Sequence, residues 1–324
     1  MVHSAHVSVV PFAIEHVGAA ADLVVLGVER LRARLPVLPQ TGADPAVVAR
    51  VLTGLVDRGA GLAVVDDGRL IAFQAATIID GHGGRWSYTP DLGHAAPWDD
   101  EGRLRETLYT GLADGWVRGA CLEHVVTVLA GDEVAQATLA RLGFGHVVVD
   151  LVRGLDPVDV TELPPGVTTR RALPADAGAI AALDASLRRH LGASPVFLRQ
   201  GAAPALEVYR RGIADPTAAI FVAERDGAVV AFLRIGPPAT DVAGIVRDAG
   251  TASITRAFTV PGLRAKGIAS SLLADAVAWA RENGYARCAV DHESANREGA
   301  RFWARHATPA ARSMMRRLAP GMAG

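Results

Sequence analysis

Arg264–Ala269, with the sequence Arg-Ala-Lys-Gly-Ile-Ala, is the most informative stretch of the chain. It stands between a strand-like run at 254–260 and an Ala- and Leu-rich helical run at 270–281. A strand, a short glycine-containing loop and a helix N-terminus present free backbone N–H groups and the positive end of a helix dipole, which suit a pyrophosphate. Lys266 is the only lysine of the chain and falls inside this loop. The stretch therefore predicts a site for a phosphate-bearing ligand.

The loop is neither of two common phosphate-binding motifs, because Gly-x-x-x-x-Gly-Lys-Ser/Thr and Gly-x-Gly-x-x-Gly are both absent from it. It resembles the Arg/Gln-x-x-Gly-x-Gly/Ala signature of the GNAT acyltransferase superfamily, matched at Arg264, Gly267 and Ala269. The following segments resemble the order of the superfamily's core: a turn at 283–284, a strand-like run at 288–291, then Asn296 and a helix with an aromatic residue. The resemblance covers residues 253–318.

The chain contains a diverged internal repeat. Residues 7–11 align with 167–171 at an offset of 160, and Asp67–Phe73 aligns with Asp226–Phe232 at an offset of 159. Leu139–Arg141 aligns with Trp303–Arg305 at an offset of 164. Both Asp-Gly pairs predict hairpin turns, because Asp-Gly between apolar alternations is a strong hairpin signal. Near-constant offsets predict two copies of one domain.

The Pro-rich segment 156–166 predicts a linker between a first domain at 1–155 and a second at 167–324. The resemblance implies an α/β fold with a mixed sheet, built twice as two tandem GNAT-like acyltransferase domains. The run at 146–149 resembles the sixth strand that closes such a domain. In the superfamily's tandem forms, one half has often lost its cofactor loop.

The first half carries three consecutive carboxylates, Asp99, Asp100 and Glu101, where the second half carries its basic loop. These charges repel a pyrophosphate, so the first half is expected not to bind acyl-CoA. They also fit the first turn of the helix predicted over 104–117, whose dipole they complement. A pocket for a cationic acceptor is the open alternative.

The resemblance implies acetyl-CoA or another acyl-CoA as co-substrate, with its pantetheine arm between the splayed strands 254–260 and 288–291. Backbone groups near Phe258 and Thr259 then bind the arm and polarise the thioester carbonyl. Asn296 has two interpretations, a helix N-cap or a ligand of the cofactor near its thioester. The implied cofactor-binding residues are Phe258, Thr259, Val260, Arg264, Ala265, Lys266, Gly267, Ile268, Ala269, Asn296 and Trp303.

Attack by an amine needs a base to take its proton. The candidates are Asp291, His292 and Glu293, which cluster at the end of the strand-like run 288–291. Strand alternation predicts that Asp291 and Glu293 share one face and His292 the other. Glu293 is the first choice, because it lies at the strand's end, three residues before Asn296. A solvated charge cluster is the other interpretation of the three residues.

The proton donor for the leaving thiolate is harder to identify. Many members of the superfamily carry a tyrosine seven residues after the Asn, but Trp303 occupies that position here. Indole does not donate a useful proton to a thiolate. Three alternatives stay open: the thiolate leaves unassisted, or His306 or Ser313 donates the proton. Arg297, Arg301 and Arg305 form a basic stripe, which fits either a solvated face or a ribose phosphate.

The composition sets the remaining limits. A net charge of −1 argues against non-specific binding to nucleic acid or anionic membranes, and no apolar run approaches the length of a membrane helix. Two cysteines do not make a zinc site, and the first residues lack a signal-peptide pattern, so we expect a metal-free cytoplasmic protein. The pattern gives no oligomeric state.

These observations predict an N-acetyltransferase that moves an acetyl group from acyl-CoA to an amine of a small molecule or peptide. The alternative is a non-catalytic acyl-CoA-binding or interaction module, because the usual tyrosine is missing. A nucleotide hydrolase is disfavoured, because no magnesium-binding or water-activating motif accompanies the loop.

Overall fold

The computed structural model describes residues 7–81, 84–240, 242–319 and 321. The chain forms two compact units. Unit 1 comprises Met1–Asp150, Ala243–Val246 and Pro309–Gly324, and unit 2 comprises Leu151–Val242 and Arg247–Thr308. The units differ from the predicted ranges 1–155 and 167–324, because each takes in short segments from the other half of the sequence. The predicted linker at 156–166 belongs to unit 2.

Unit 1 is a mixed sheet with four helices among its described residues. Its elements are β1 (Val7–Pro11), α1 (Val17–Arg34), α2 (Pro45–Arg58), β2 (Gly59–Asp66), β3 (Arg69–Gly81), β4 (Gly84–Thr89), β5 (His94–Ala95), α3 (Arg103–Arg118), β6 (Cys121–Leu129), α4 (Glu133–Arg141), the first part of β7 (Gly145–Gly154) and, from the end of the chain, β13 (Thr308–Arg317). The strand order is β1-β2-β3-β4-β6-β13, with β5 also paired to β3.

Unit 2 repeats this arrangement. After the last residues of β7 it contains β8 (Val167–Arg171), α5 (Ala177–Gly192), α6 (Leu206–Ala214), β9 (Ala219–Arg225), β10 (Ala228–Gly236), β11 (Thr251–Thr259), α7 (Ile268–Glu282), β12 (Arg287–Glu293) and α8 (Arg297–Trp303). The strand order is β8-β9-β10-β11-β12-β7. β11 and β12 are parallel, whereas β8, β9, β10 and β11 pair antiparallel in sequence.

The predicted repeat and both predicted hairpins are confirmed by the order of elements. Asp67 and Gly68 have φ of 47° and 79°, and Asp226 and Gly227 have φ of 52° and 77°. Two consecutive left-handed residues form the type I′ turn, which matches the twist of a tight hairpin. The strands they join pair directly, at Asp66↔Arg69 in unit 1 and Arg225↔Ala228 in unit 2.

The closing strands differ from the expectation. β7, which contains the run at 146–149, continues into unit 2 and neighbours β12 there. In unit 1 the edge of β6 is covered by β13, which pairs antiparallel from Ala311↔Leu129 to Arg317↔Glu123. Each half of the sequence thus supplies strand residues to the other unit. Local sequence patterns do not predict this exchange.

Helix α5 packs on the sheet of unit 2 and forms one wall of the site described below. Its buried apolar residues recur at three- and four-residue spacing, which places them on one face. They are Ile180, Leu183, Leu187 and Leu191. They pack in a core cluster with Phe232 of β10 and Phe258 of β11. None of the helices in the described part of the chain combines the length and apolar character needed to cross a membrane.

Candidate functional site

The predicted phosphate-binding loop connects β11 to α7. β11 ends at Thr259, a 3-10 turn occupies Pro261–Leu263, and α7 begins at Ile268. Gly267 is the N-cap of α7, with φ of 80°, and no side-chain hydrogen bond caps this end. Because glycine at the N-cap has no side chain to cap them, the first N–H groups of α7 can receive an anionic ligand.

Gly267 is also tightly surrounded. Its φ of 80° is in the left-handed region, where a side chain is strained. A Cβ added there would lie 2.4 Å from Thr161 Oγ1, a residue of the predicted linker. Backbone conformation and the contact with Thr161 therefore both disfavour a side chain at this position.

β11 and β12 separate beside the loop, as the resemblance implied. Their parallel register runs from Thr251↔Arg287 to Ile254↔Val290. β11 continues to Thr259, and on the β12 side residues 255–259 have no strand partner among the described residues. The register against β10 shifts at this same point, between Arg234 and Ile235, which leaves Thr255 as an extra residue in β11. A bulge of this kind bends a strand and ends pairing, so β11 has an open edge next to the loop.

A cavity of about 360 Å³ lies along this edge and reaches the start of α7. Apart from Val260 and Lys266, every predicted cofactor-binding residue lines it, namely Phe258, Thr259, Arg264, Ala265, Gly267, Ile268, Ala269, Asn296 and Trp303. Val260 instead packs against the core, and its N–H donates to the Val230 carbonyl at 3.0 Å. Lys266 is exposed. The remaining lining residues include His190, Glu298, Arg301 and Arg305.

Arg264 is held in place by three contacts. Its Nε donates to the Thr259 carbonyl at 3.0 Å, and its guanidinium lies 5.3 Å from the centre of the Phe258 ring. Its Nη1 forms an ion pair with Glu298. Burial lowers the pKa of Arg264 from its ordinary value, yet a guanidinium stays charged at any physiological pH. The cavity therefore contains a cation fixed beside the loop and already paired to a carboxylate.

The N-cap interpretation of Asn296 is confirmed. Its Oδ1 accepts a hydrogen bond from the Gly299 N–H at 3.2 Å at the start of α8. His190 Nε2 lies 3.4 Å from the same oxygen. Because the side chain of Asn296 also lines the cavity, the cap and a ligand role are compatible.

The three residues predicted to contain the base lie at the end of β12. Asp291 is exposed, His292 is buried and Glu293 is half-buried, so the predicted alternation of faces is confirmed. His292 Nδ1 donates to the Glu293 carbonyl at 3.0 Å. None of the three is among the residues that line the cavity. Their assignment as the base stays a prediction.

The two protein groups considered as proton donors differ in their surroundings. Ser313 lies on β13 in unit 1, where its hydroxyl is 2.8 Å from Thr127 Oγ1 in the sheet. His306 Nε2 lies 3.3 Å from Ser270 Oγ in the first turn of α7. Burial lowers the pKa of His306, and Arg153 and Arg305 lower it further, against an opposing effect of Asp159.

His190 and Glu298 are site residues that the sequence pattern did not indicate. His190 lies in the last turn of α5, more than sixty residues before the loop, and it reaches the cavity only because α5 packs on the sheet. Glu298 lies in the first turn of α8, where an acidic residue is ordinary. Nothing in the local sequence distinguishes such a site residue from an ordinary charged residue at the end of a helix.

Unit 1 has acidic residues where unit 2 has its basic loop. Asp100 caps α3, accepting the Gly102 N–H at 2.9 Å and the Leu104 N–H at 2.8 Å, which confirms the predicted helix-terminal role for one of the three acids. Gly102 is the N-cap with φ of 83°, close to the value at Gly267. A second cavity, of about 410 Å³, is lined in part by Asp99 and by the buried Arg105–Asp132 ion pair. The helix start is thus preserved with an acidic loop in place of the basic one.

Comparisons with known proteins agree with this architecture. Residues 185–307 match the model of the acetyltransferase (GNAT) family. A GCN5-related N-acetyltransferase from Sphaerobacter thermophilus has a similar fold over 97% of this chain and 96% of its own, with a TM-score of 0.60 and 18% identity. A sequence comparison with curated proteins finds no match.

Two further solved structures are similar over nearly the whole chain. A tandem GNAT protein from the clavulanic acid biosynthesis pathway is matched over 98% of this chain and 100% of its own, with a TM-score of 0.52 and 14% identity. A glucosamine N-acetyltransferase region in a fungal multi-domain β-N-acetylglucosaminidase is matched over 97% of this chain and 38% of that protein, with a TM-score of 0.52 and 14% identity. At these identities the likeness establishes the fold, which is that of two tandem GNAT domains.

Proposed function

We propose that unit 2 transfers an acetyl group from acetyl-CoA to a primary amine, because residues 185–307 match the model of the acetyltransferase (GNAT) family. The acceptor is a small molecule or the amine of a peptide. The first half serves as a scaffold, because its loop carries Asp99, Asp100 and Glu101 in place of a basic motif.

One observation supports this proposal more than any other: the open edge of β11 lies in the same cavity as the uncapped start of α7. An extended arm that carries amide groups can pair with the unpaired N–H and C=O groups of a strand edge. The oxygens of a pyrophosphate attached to that arm accept hydrogen bonds from helix N–H groups and from a fixed arginine. CoA has both parts in this order, with its thioester at the end remote from the phosphates.

In the proposed reaction the amine attacks the thioester carbonyl directly. Backbone N–H groups near Phe258 and Thr259 bind the oxyanion that forms, and a base takes the amine proton. We assign the base to the cluster of Asp291, His292 and Glu293, with Glu293 as first choice. Glu293 supports this choice by being half-buried at the end of β12, the strand that separates from β11.

Release of free CoA thiol tests the proposal. The full chain is incubated with acetyl-CoA and a panel of primary amines: a short peptide with a free N-terminus, glucosamine and putrescine. We expect amine-dependent thiol release with one of them and equimolar N-acetyl product. The matched control is a Gly267→Val chain, which keeps all candidate acid and base groups and is expected to bind no acetyl-CoA.

A non-catalytic acyl-CoA-binding module is the second candidate, favoured by one observation. Trp303 occupies the position of the usual proton donor, and it is buried. If acetyl-CoA binds to the chain and no amine in the panel releases thiol above the rate of the buffer control, the binding module is the better description.

A further inference from the structure

The cavity of unit 2 has a proposed phosphate end and an opposite end, and α5 extends from the first towards the second. His190 marks the proposed phosphate end, because its Nε2 lies 3.9 Å from Glu298 Oε2 and Glu298 pairs with Arg264. Leu187, which also lines the cavity, lies three residues earlier on α5, and Asp184 lies three residues earlier again. Residues three or four positions apart are neighbours on a helix surface. Asp184 therefore lies on the side of Leu187 away from the proposed phosphate end.

β11 gives the same order. Thr259 accepts a hydrogen bond from Arg264 at the proposed phosphate end, and Phe258 marks the proposed oxyanion position. Arg256 lies two residues before Phe258 and shares its face, because alternate residues of a strand project to the same side. That side faces α5, since Phe258 packs in a cluster with α5 residues and Arg256 Nη1 lies 3.5 Å from Asp184 Oδ1. If acetyl-CoA fills the cavity as proposed, the acceptor amine approaches from this end.

Two arginines lie side by side at this acceptor end. Arg234 of β10 is directly opposite Arg256 of β11, so the two side chains project from the same face of the sheet. Like charges directly opposite each other destabilise a sheet. Arg234 Nη1 donates to Thr255 Oγ1 at 2.9 Å, a contact that brings no negative charge. The side chain of Arg256 is 40% exposed, so a molecule from solvent can reach it. An anion held by both guanidiniums would offset their repulsion.

The carboxylates near these arginines leave room for such an anion. Asp184 is 2% exposed, and its Oδ1, 3.5 Å from Arg256, accepts no hydrogen bond from the described residues. Hydrogen bonds from Thr217, and to a smaller extent the charge of Arg234, lower the pKa of the Asp215 carboxyl. Asp215 Oδ1 accepts both the N–H and the hydroxyl of Thr217, at 2.9 and 2.7 Å. A guanidinium carries five N–H donors, so both arginines can donate to a further acceptor.

A third arginine adds to the positive charge. Burial, followed by the hydrogen bond to Asp184, raises the pKa of Tyr209 to about 12, and Arg256 and Arg188 oppose this rise. Arg188 lies one turn after Asp184 on α5. The guanidiniums of Arg188, Arg234 and Arg256 thus lie near two carboxylates, those of Asp184 and Asp215. This balance leaves an excess of positive charge at the acceptor end.

Resting on the proposed acetyl transfer, we propose that the acceptor is an amine that also carries an anionic group, a carboxylate or a phosphate, and that Arg234 and Arg256 bind this group. Planar guanidinium forks suit both anions. The two arginines are specificity-determining residues, and the amine of the acceptor points from them towards the proposed thioester. Arg256 lies about 7 Å along the strand from Phe258, which favours an acceptor whose amine and anion are several bonds apart.

Acceptors that differ in one end group test the proposal. γ-Aminobutyrate, γ-aminobutyramide and putrescine share a four-carbon chain and end in a carboxylate, a neutral amide and an ammonium group. β-Alanine and ε-aminocaproate, each with its amide, vary the distance between amine and anion, and phosphoethanolamine with ethanolamine supplies the phosphate. Thiol release gives kcat and KM for the parent, Arg234→Gln and Arg256→Gln. Arg210→Gln, at an exposed position of α6, is the matched control.

We expect kcat/KM of the parent for the best anionic acceptor to exceed that for its neutral partner by about 10- to 100-fold, as charge-assisted hydrogen bonds provide. Putrescine should be the poorest of its series. Arg234→Gln and Arg256→Gln should each lower the anionic-to-neutral ratio about tenfold, with kcat/KM for the neutral acceptor and the Kd of acetyl-CoA changed less than about threefold. Arg210→Gln should keep the parent ratio. General damage to the fold would lower both acceptors alike.

A parent that prefers the neutral or the cationic acceptors overturns this inference and leaves acetyl transfer in place. Equal losses for anionic and neutral acceptors in Arg234→Gln and Arg256→Gln also overturn it, as does weaker acetyl-CoA binding in both. If the Gln variants do not fold, Arg234→Lys and Arg256→Lys keep the charge without the planar fork, and the proposal requires a lower ratio in them. Thiol release with none of the amines overturns the acetyl transfer itself, and this inference with it.

Discussion

Glu298 forms an ion pair with Arg264, the first residue of the loop motif, at the start of α7. Both side chains line the cavity. If the cavity takes the phosphates of acetyl-CoA as proposed, the Glu298 carboxylate repels them and competes with them for the Arg264 guanidinium. We therefore expect the ion pair to weaken binding of the proposed nucleotide, and the following substitution measures this effect.

Glu298→Gln is expected to tighten acetyl-CoA binding by about two- to fivefold at low salt, since half-exposed ion pairs are worth a fraction of a kcal/mol to about 1 kcal/mol. Calorimetry at two salt concentrations measures the effect, which should shrink as salt rises. Glu282→Gln, on the exposed last turn of α7, is the control. Weaker binding in Glu298→Gln would mean that the carboxylate orients Arg264 for the phosphates.

Gly267→Val should abolish acetyl-CoA binding, because a side chain at this position blocks close approach of the loop backbone to a phosphate. Left-handed φ also costs a residue with a Cβ about 1–2 kcal/mol of stability, so binding is measured below the unfolding midpoint. Gly262→Ala is the control, since a Cβ there meets nothing within 4 Å.

The contact with Thr161 calls for one additional variant. Gly267→Ala combined with Thr161→Gly removes the 2.4 Å contact that an added Cβ would make. We expect this double variant to stay deficient in binding. Recovery of parent affinity would assign the loss to displacement of the 156–166 segment and would leave the phosphate contact without support.

One acetyl-CoA is expected to bind per chain, because the acids Asp99, Asp100 and Glu101 replace the basic loop in unit 1. Calorimetry on the full chain gives the stoichiometry. Two sites of similar affinity in the parent, or one remaining site in Gly267→Val, would show that unit 1 also binds the cofactor.

Loss of the base should lower turnover without weakening cofactor binding. Among Asp291→Asn, His292→Ala and Glu293→Gln, we expect Glu293→Gln to lower kcat the most, by about 10²–10⁴-fold, with the Kd of acetyl-CoA retained. Steady-state kinetics on the best acceptor measure this. Near-parent kcat in all three variants would move the base elsewhere or require deprotonation through water.

The sequence predicted those features that local chemistry determines. The two Asp-Gly hairpins, the glycine at the start of α7 and the capping role of Asn296 depend on residues within a few positions of each other. The separation of β11 from β12 came instead from family resemblance, and the register bears it out. His190 and Glu298 were missed, because their meeting depends on how α5 packs beside α8.

The exchange of strands was also beyond the sequence pattern. β7 and β13 both contain buried apolar residues, and a strand of either kind can cover the edge of a sheet. Which edge each one covers is decided by the course of the chain after the strand, which hydrophobic periodicity does not encode.

This exchange has a consequence during synthesis. The strand that covers the edge of β6 is Thr308–Arg317, which follows β6 by more than 170 residues. A growing chain leaves the ribosome from its N-terminus, so the sheet edge of unit 1 stays open until residues 308–317 have been made. A premature stop before residue 308 would therefore damage the half of the protein made first, and the earlier unit would be the one exposed to aggregation.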